Sequence, residues 1–361
     1  MGHFFYPLKL MRRPGLDIFR SVAILLVLFG HSGLLLSEVH HLNFLDRMVN
    51  QWDGVSLFFV LSGFLITGQL FELFENHSPL KAWGLFLVNR IFRILPLYYV
   101  MVLLLFAFSK NTTFGDVIPY FLFLQNLFSP MPYFFPESWS LTIEEWFYLL
   151  LPLLFFIFHR GDKKGLIVGI GLSLVVFPLI LRVLHPEVDA VFEIDETVRK
   201  IVIYRLDAIG YGVLMAFLFR QFPAVFLKNK NLMAFTGIVF SLILYFFGEQ
   251  LKFSAMPIYY VFDGLTWSLF LPYLFDVNLA EFPKIKLIFK WVSVHAYSLY
   301  LVNLSLVQSL VLPQFKFVLH ENEGMFWVAF WVSTFVLAVI LRQIIELPFL
   351  KMRDFVLKKL S

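Results

Sequence analysis

Long runs of apolar residues, separated by short polar segments, dominate the chain. A helix that crosses the hydrocarbon core of a bilayer needs about 20 mostly apolar residues. Ten runs meet that requirement, and each predicts a membrane-spanning helix: Leu16–Leu36, Val55–Phe74, Leu85–Phe108, Trp139–Phe158, Leu166–Leu184, Ile201–Phe219, Leu232–Gly248, Ile258–Phe275, Leu287–Leu312 and Met325–Leu347. An eleventh run, Val117–Phe128, has only twelve residues and predicts an interfacial or re-entrant piece that does not cross.

The positions of Lys and Arg predict the orientation of these helices, because cytoplasmic loops are enriched in both residues. If the N-terminus is cytoplasmic and the eleventh run does not cross the membrane, 19 of the 29 Lys and Arg residues lie on the cytoplasmic side and six lie outside. If the eleventh run crossed, the basic loop Arg160–Lys164 would face out and the acidic loop Glu187–Glu196 would face in. The sequence therefore predicts an all-α, polytopic membrane helical bundle of about ten transmembrane helices, with both termini cytoplasmic. We expect a multi-pass protein of the cell (inner) membrane.

Composition adds several exclusions. Hydrophobic residues make up 60% of the chain and charged residues 15%, against about 45–50% and about 25% in soluble domains, which excludes ordinary soluble and disordered proteins. The absence of Cys excludes disulfides, cysteine-bound zinc, iron–sulfur clusters and thiol catalysis, and no metal site is predicted. The net charge of +4 is not gathered into a nucleic-acid-binding patch. We expect residues 1–361 to form one integral-membrane domain with no fused soluble domain.

The first predicted span carries Arg20 and His31, eleven residues apart. Eleven residues are close to three full turns, so the two side chains share one helical face with about 16 Å of rise between them. Histidine is the natural general base near neutral pH, and arginine is suited to clamping phosphate or carboxylate groups. The alternative is that Arg20 reaches the lipid headgroups and that His31 hydrogen-bonds a neighbouring helix.

Two further spans carry charges that are costly at membrane depth. Arg90 and Arg93 form an i, i+3 pair that would hold phosphates, or would simply anchor the cytoplasmic helix end. In the fourth span Ser140, Glu144 and Tyr148 line one face, with Glu145 beside them. One acid would suffice to cap the helix, so the pair favours a functional site in which a carboxylate orients the His31 imidazole.

Other polar residues inside the predicted spans favour structural roles. Arg205 and Asp207 in the sixth span, and Arg342 and Glu346 near the end of the tenth, are predicted to form ion pairs. His295 is an isolated intramembrane histidine, for which a structural role is expected.

Five motifs, met in order along most of the chain, together resemble the integral-membrane acyltransferase-3 family. They are Arg20-x10-His31, Asp53-Gly-Val-Ser-Leu-Phe-Phe-Val-Leu-Ser-Gly-Phe-Leu-Ile-Thr67, Arg90-x2-Arg93, Ser138-Trp-Ser-Leu-Thr-Ile-Glu-Glu145 and Tyr297-Ser-Leu-Tyr-Leu301. Proteins of this family acylate extracytoplasmic saccharides and related molecules. The resemblance implies an acyl-CoA donor, most often acetyl-CoA, and no permanently bound cofactor. It also implies a catalytic His31, with Arg20, Arg90 and Arg93 facing the CoA.

The chain departs from the family pattern at two positions. Trp146 stands where the family often has Gln after the paired acids, and Asn303 stands where it often has a second His. Many relatives also carry a fused extracytoplasmic esterase-like domain, for which this chain has no room. The resemblance then implies that the protein completes the transfer alone or with a separate partner.

Together these observations predict an O-acyltransferase, most simply an O-acetyltransferase, that modifies a saccharide or another cell-envelope acceptor. The predicted catalytic residues are His31, Glu144 and Glu145, and Ser140, Tyr148 and Trp139 are assigned to the substrate. Ionisable residues in spans also occur in transporters, so a multi-pass exporter of an envelope precursor or small anion is the alternative. A non-catalytic membrane scaffold would leave His31 and the acid pair unexplained.

Overall fold

The computed structural model describes residues 13–33, 51–158, 163–185, 191–315 and 323–360, which are helical and contain no strand. The helices of six or more residues are α1 (Pro14–Gly33), α2 (Gly54–Asn76), α3 (Pro79–Phe108), α4 (Phe114–Phe121), α5 (Ser138–Ile157), α6 (Lys163–Val183), α7 (Asp207–Gln221), α8 (Pro223–Lys228), α9 (Lys230–Ser254), α10 (Met256–Ser268), α11 (Leu271–Asp276), α12 (Pro283–Val302), α13 (Glu323–Leu341) and α14 (Leu347–Leu360). Turns of π-helix occupy Asp195–Arg199, Asn303–Val311 and Arg342–Glu346.

Local sequence signals explain several helix starts. The carboxylate of Asp53 accepts a hydrogen bond from the backbone N–H of Val55 at 3.0 Å and caps α2. Pro79 opens α3, where its missing N–H costs nothing. Thr113 and Asp116 form a reciprocal capping box at the start of α4. With only eight residues, or about 12 Å, α4 is too short to cross a bilayer.

Within the described ranges, eight helical stretches are long and apolar enough to cross a membrane. The sequence predicts ten, and the sixth and eighth predicted spans are the ones that lack a long helix. In the sixth predicted span a regular α-helix begins only at Asp207, where buried ion pairs form. The resulting helix α7 has only 15 residues. The eighth divides into α10 and α11 just before Pro272, which cannot donate a helical hydrogen bond. The first predicted span's residues 34–36, and parts of the loops Arg160–Lys164 and Glu187–Glu196, lie outside the described residues.

Small residues allow the central helices to approach closely. α2 packs more extensively against α7 than any other two helices pack against each other in the described ranges. At their crossing, a Cβ added to Gly63 would lie 2.2 Å from the Ile209 carbonyl oxygen, and one added to Gly212 would lie 2.2 Å from that of Val60. Backbone contact of this kind is how membrane helices pack without a hydrophobic driving force between them.

The last helical stretch is longer than a bilayer crossing requires. α13, its π-helical turn and α14 form one 38-residue helical stretch, about 57 Å long, whereas the hydrocarbon core is about 30 Å thick. α14 has no buried residue, and it packs along the 30-residue helix α3. These two helices build a wall at the end of the bundle where α1 and α12 begin.

Six charged side chains form what we call the buried ion cluster. Arg182, Arg205 and Asp207 are fully buried, and Asp53, Asp195 and Arg199 are partly buried around them. Asp207 lies 2.8 Å from Arg182 and 3.3 Å from Arg205, which confirms the predicted Arg205–Asp207 pair. Arg205 also lies 3.3 Å from Asp53. All three partners in the Asp207 contacts have fully buried side chains, so the charges stabilise the fold only as a complete set.

Asp195 lies in the π-helical turn Asp195–Arg199, 2.9 Å from Arg199 and 3.1 Å from Lys200. Burial of this carboxyl disfavours its charged form, but the charges of Arg199 and Lys200 outweigh that effect and lower the pKa of Asp195 to about 2. The pKa of Asp in unfolded chains is about 3.9. The stabilisation from this pairing is therefore complete above about pH 4 and is lost as the pH falls toward 2.

We predict that Asp207→Ala lowers the free energy of unfolding by about 3–5 kcal/mol, because it leaves two buried guanidinium groups without their shared partner. Lys230→Ala is the matched control, since it breaks a partly exposed ion pair with Asp276 worth about 1 kcal/mol or less. The measurement is thermal or denaturant unfolding in detergent, followed by tryptophan fluorescence. Equal stabilities of the two variants would contradict the structural role of the cluster.

Candidate active site

Two parallel helices, α1 and α12, carry the polar residues of the bundle centre in matching register. Arg20 Nη1, in the first third of α1, donates at 3.2 Å to Oγ of Ser293, which lies at the middle of α12, and Ser293 Oγ donates to Asp17 Oδ1 at 2.6 Å. Eleven residues further along α1, His31 Nδ1 lies 2.5 Å from Oδ1 of Asn303, which is ten residues beyond Ser293. The residue numbers rise together along both helices, so both enter the bundle from the same side. The predicted face shared by Arg20 and His31 is the face of α1 that meets α12.

A basic vestibule opens at the end of the bundle where these two helices begin. It is a cavity of 730 Å³, lined in the described structure by six arginines against three acids. The arginines are Arg13, Arg20, Arg90, Arg93, Arg342 and Arg353, and the acids are Asp17, Glu72 and Glu346. An excess of guanidinium groups on a concave surface suits a ligand with several negative charges, such as a polyphosphate.

A smaller inner cavity of 160 Å³ lies next to the vestibule, and the two share seven lining residues. Arg20, Arg90 and Arg93 line both, so they stand at the junction. Further in, the inner cavity is lined by Glu144 and Tyr148 of α5, and it reaches Ser140 and Tyr300. Basic groups therefore stand at the wide opening of this polar space, and hydroxyl and carboxyl groups stand at its narrow end.

The side chains at the narrow end hold one another through hydrogen bonds. Ser62 of α2 donates to Glu144 Oε1 at 2.6 Å and accepts from the Tyr148 hydroxyl at 3.1 Å. The hydroxyl groups of Ser140 and Tyr300 lie 2.6 Å apart. These contacts join α2, α5 and α12 around the cavity. A polar cavity of this kind is where carboxylates at membrane depth are expected.

Arg90 and Arg93 lie on the wall that separates the two cavities. Arg90 Nη2 donates to Gln69 Oε1 at 2.8 Å, and its guanidinium lies 5.0 Å from the centre of the Tyr148 ring. These two contacts fix the guanidinium plane of Arg90 against the cavity. Arg93 is exposed and presents its charge to the vestibule.

The inner cavity brings together six of the nine site residues predicted from the sequence: Arg20, Arg90, Arg93, Ser140, Glu144 and Tyr148. His31, Glu145 and Trp139 are not among its lining residues. His31 lies one helical turn beyond the cavity wall, because its partner Asn303 follows Tyr300 by three residues on the same helical segment. Trp139 is buried beside Arg199, whose guanidinium lies 4.7 Å from the indole ring centre.

The predicted contact between His31 and the acid pair is absent from the hydrogen bonds of the described residues. The hydrogen-bond partner of the His31 ring is Asn303, whereas Glu144 accepts from Ser62. Glu145 Oε1 is buried without a hydrogen-bond partner in the described structure. The acids lie on α5 at the level of Ser62 and Tyr148, while His31 lies further along the bundle axis with Asn303.

Several residues that build the site carry no sequence signal that assigns them to it. Ser62 and Tyr300 lie inside family motifs but carry no charge that would attract attention. Arg342 and Glu346 form the predicted ion pair, at 2.5 Å, and they also line the vestibule. Arg353 of α14 lies beyond the last predicted span, and it also lines the vestibule. His295 has the expected structural contact, since its Nδ1 lies 2.8 Å from the Trp291 carbonyl oxygen.

Comparison with known proteins identifies the family. The model of the acyltransferase-3 family, described as an acyltransferase domain, matches residues 13–343. The chain belongs to the acyltransferase-3 family. In this acyltransferase-3 chain the match covers every residue that lines the inner cavity except Glu346. It ends within the π-helical turn Arg342–Glu346, before α14 contributes Leu350 and Arg353 to the vestibule.

Several curated relatives of this acyltransferase-3 chain are larger proteins. The peptidoglycan O-acetyltransferase OatA of Listeria monocytogenes is 26% identical over 373 residues, which cover 94% of this chain and 56% of that protein. A putative peptidoglycan O-acetyltransferase, YrhL of Bacillus subtilis, is 34% identical over 158 residues, covering 39% of this chain and 23% of that protein. A putative acetyltransferase of Acidianus two-tailed virus is 33% identical over 132 residues, covering 35% of this chain and 36% of that protein. The chain therefore spans about half the length of the Listeria relative. No solved structure matches the chain.

Proposed function

We propose that this protein is a membrane-embedded O-acyltransferase that transfers an acetyl group from cytoplasmic acetyl-CoA to a hydroxyl of an extracytoplasmic saccharide. The observation that carries the proposal is the polar path from the basic vestibule, past Arg20, Arg90 and Arg93, into the inner cavity. Family membership supplies the reaction class, and the path supplies a route along the helix axes.

The vestibule supports an acyl-CoA donor. The nucleotide end of coenzyme A is bulky and carries several negative charges, whereas its thioester arm is narrow and uncharged. A wide cavity with six arginines and a narrow adjoining cavity match these two ends. The Lys and Arg distribution supports a vestibule on the cytoplasmic side, where acyl-CoA is found.

His31 is the proposed catalytic base. In direct transfer, an unprotonated ring nitrogen takes the proton of the acceptor hydroxyl while its oxygen attacks the thioester carbonyl. The new C–O bond forms, the C–S bond breaks, and the imidazolium returns the proton to the departing CoA thiolate. In the alternative reaction order, the imidazole nitrogen first displaces CoA and carries the acetyl group to the acceptor. Both reaction orders place the thioester between the inner cavity and His31.

The relatives suggest the class of acceptor. Two of them are named as peptidoglycan O-acetyltransferases, one of these putatively, and we propose a peptidoglycan-like glycan hydroxyl as the acceptor of this chain. Exposed aromatic side chains between residues 118 and 139, among them Phe128 and Tyr133, are proposed to contact the sugar rings, since aromatic faces offer large apolar area with little conformational entropy to lose. Trp139, which the sequence assigns to the substrate, is too buried for this role.

We predict that His31→Ala folds normally but loses acetyl transfer by about 10²–10⁴-fold in kcat, because it removes the base that accepts the hydroxyl proton. The assay reconstitutes the protein in vesicles with labelled acetyl-CoA on the vestibule side and soluble peptidoglycan fragments on the other. Released CoA is measured with a thiol reagent. The chain contains no Cys, so the reagent reports only CoA.

His295→Gln is the matched control for this test, because it replaces another intramembrane histidine whose ring contacts a backbone carbonyl outside both cavities. It should retain transfer. Wild-type turnover by His31→Ala would refute the catalytic assignment. Movement of an anion across the vesicle membrane without release of CoA would favour the transporter alternative.

We also predict that Arg93→Ala raises the KM for acetyl-CoA about tenfold with a smaller change in kcat, because it removes one charge-assisted contact to the donor phosphates. The measurement is steady-state kinetics at two salt concentrations, since the difference between variant and wild type should shrink at high salt.

Lys286→Ala is the control for Arg93→Ala. Lys286 is an exposed cation near the start of α12 that does not line the vestibule. A KM for acetyl-CoA that is unchanged in Arg93→Ala, or raised equally in both variants, would show that the vestibule does not bind the donor.

A further inference from the structure

The helix that carries Asn303 changes its hydrogen-bonding pattern at this residue. α12 is α-helical to Val302, and a π-helical stretch runs from Asn303 to Val311. Insertions of this kind are rare and occur often at functional sites. The side chain of Asn303 is completely buried, and it lies against His31.

The hydrogen bonds of Asn303 fix which side-chain atom meets the His31 ring. Its Nδ2 donates to the carbonyl oxygens of Leu299 at 3.2 Å and Tyr300 at 2.6 Å. Both amide hydrogens therefore point back into the helix, and Oδ1 is the atom that faces His31 at 2.5 Å. An amide oxygen only accepts hydrogen bonds, so the His31 Nδ1 atom must carry a hydrogen and donate it.

We propose that Asn303 is the positioning residue of the active site, holding His31 in the tautomer that has its hydrogen on Nδ1 and a free lone pair on Nε2. This inference rests on the proposed function, because it names the ring atom that takes the proton of the acceptor. A neutral amide sets the tautomer and the ring plane without adding a negative charge to a bundle interior that already holds Glu137, Glu144 and Glu145. The role resembles that of the third group in catalytic triads, which orients the base through its other nitrogen.

Glu137 holds the backbone that presents Asn303. One carboxylate oxygen of Glu137 accepts the Ser305 backbone N–H at 2.6 Å, and the other accepts the Ser305 hydroxyl. The carbonyl oxygen of Glu137 also accepts the Tyr300 hydroxyl at 3.0 Å. Asn303 thus lies between two residues that are both tied to Glu137, which is itself buried. These contacts attach the π-helical stretch Asn303–Val311 to Glu137, which directly precedes α5.

The decisive experiment compares wild type with Asn303→Leu, which keeps the branched shape but loses the acceptor oxygen, and with Asn303→Asp, which keeps an acceptor oxygen. Asn303→Leu should lower kcat about 10- to 100-fold with little change in the KM for acetyl-CoA, since the base is misoriented while the vestibule is intact. Asn303→Asp should restore part of the kcat. Gln125→Ala is the control for loss of a buried amide, because Gln125 bonds Thr142 and does not contact His31. It should cost stability while retaining kcat.

A second measurement does not depend on activity. The protein is labelled with ¹⁵N-histidine, and the His31 signals are identified by their loss in His31→Gln. We expect hydrogen on Nδ1 in wild type and a mixture of tautomers in Asn303→Leu.

The possible outcomes separate the two proposals. Absence of acetyl transfer by wild type would refute the proposed function, and the tautomer would still test Asn303. Unchanged kcat in Asn303→Leu, an unchanged tautomer in that variant, or hydrogen on Nε2 in wild type would each overturn the positioning role. If Asn303→Leu does not fold, the wild-type tautomer alone decides.

Discussion

A polar group inside an apolar bundle needs a partner, and the parallel pairing of α1 with α12 supplies partners at both ends of the membrane-spanning segment. Ser293 holds Arg20 at one level, and Asn303 holds His31 about three helical turns away. Because both helices rise by the same distance per residue, one register satisfies both contacts. A shift of one residue in either helix would rotate each partner by about 100° and leave the buried groups unpaired. The vestibule, the inner cavity and the position of the imidazole all depend on this register.

Arginines and acids are combined in different proportions at the two ends of the bundle. Around the vestibule, arginines outnumber acids two to one, so the surface keeps a positive field. In the buried ion cluster, each arginine lies within ion-pair distance of at least one carboxylate, so the charges are largely neutralised and the role is structural. Charges of the same kind therefore serve binding at the vestibule and stability in the cluster. The difference lies in whether acids surround them.

Sequence patterns predicted the helical membrane architecture because length and hydropathy are local properties that hold whatever the neighbours are. The same reasoning placed Arg20 and His31 on one face, and that face does meet α12. It did not predict that the sixth and eighth spans would lack a long helix, because hydropathy does not register the ion pairs of Asp207 or the break before Pro272. Sequence patterns did not predict Asn303 as the partner of His31. An acid was the natural expectation, but axial level along different helices depends on tilt and on the length of intervening loops, which sequence spacing does not give.

Asn303 shows why a departure from a family pattern is informative only with its geometry. In the sequence it is the loss of a histidine, and any role of that histidine becomes doubtful. In the structure the amide directs its donors at its own helix and its acceptor oxygen at His31. It can therefore accept the hydrogen of His31 Nδ1 at any pH, whereas a second histidine could do so only when its own ring is neutral. The π-helical turn and the Glu137 carboxylate then make sense together, since a regular α-helix would rotate the residues beyond Val302 to different directions. The change in the helix, the buried acid and the amide form one device that acts on a single imidazole.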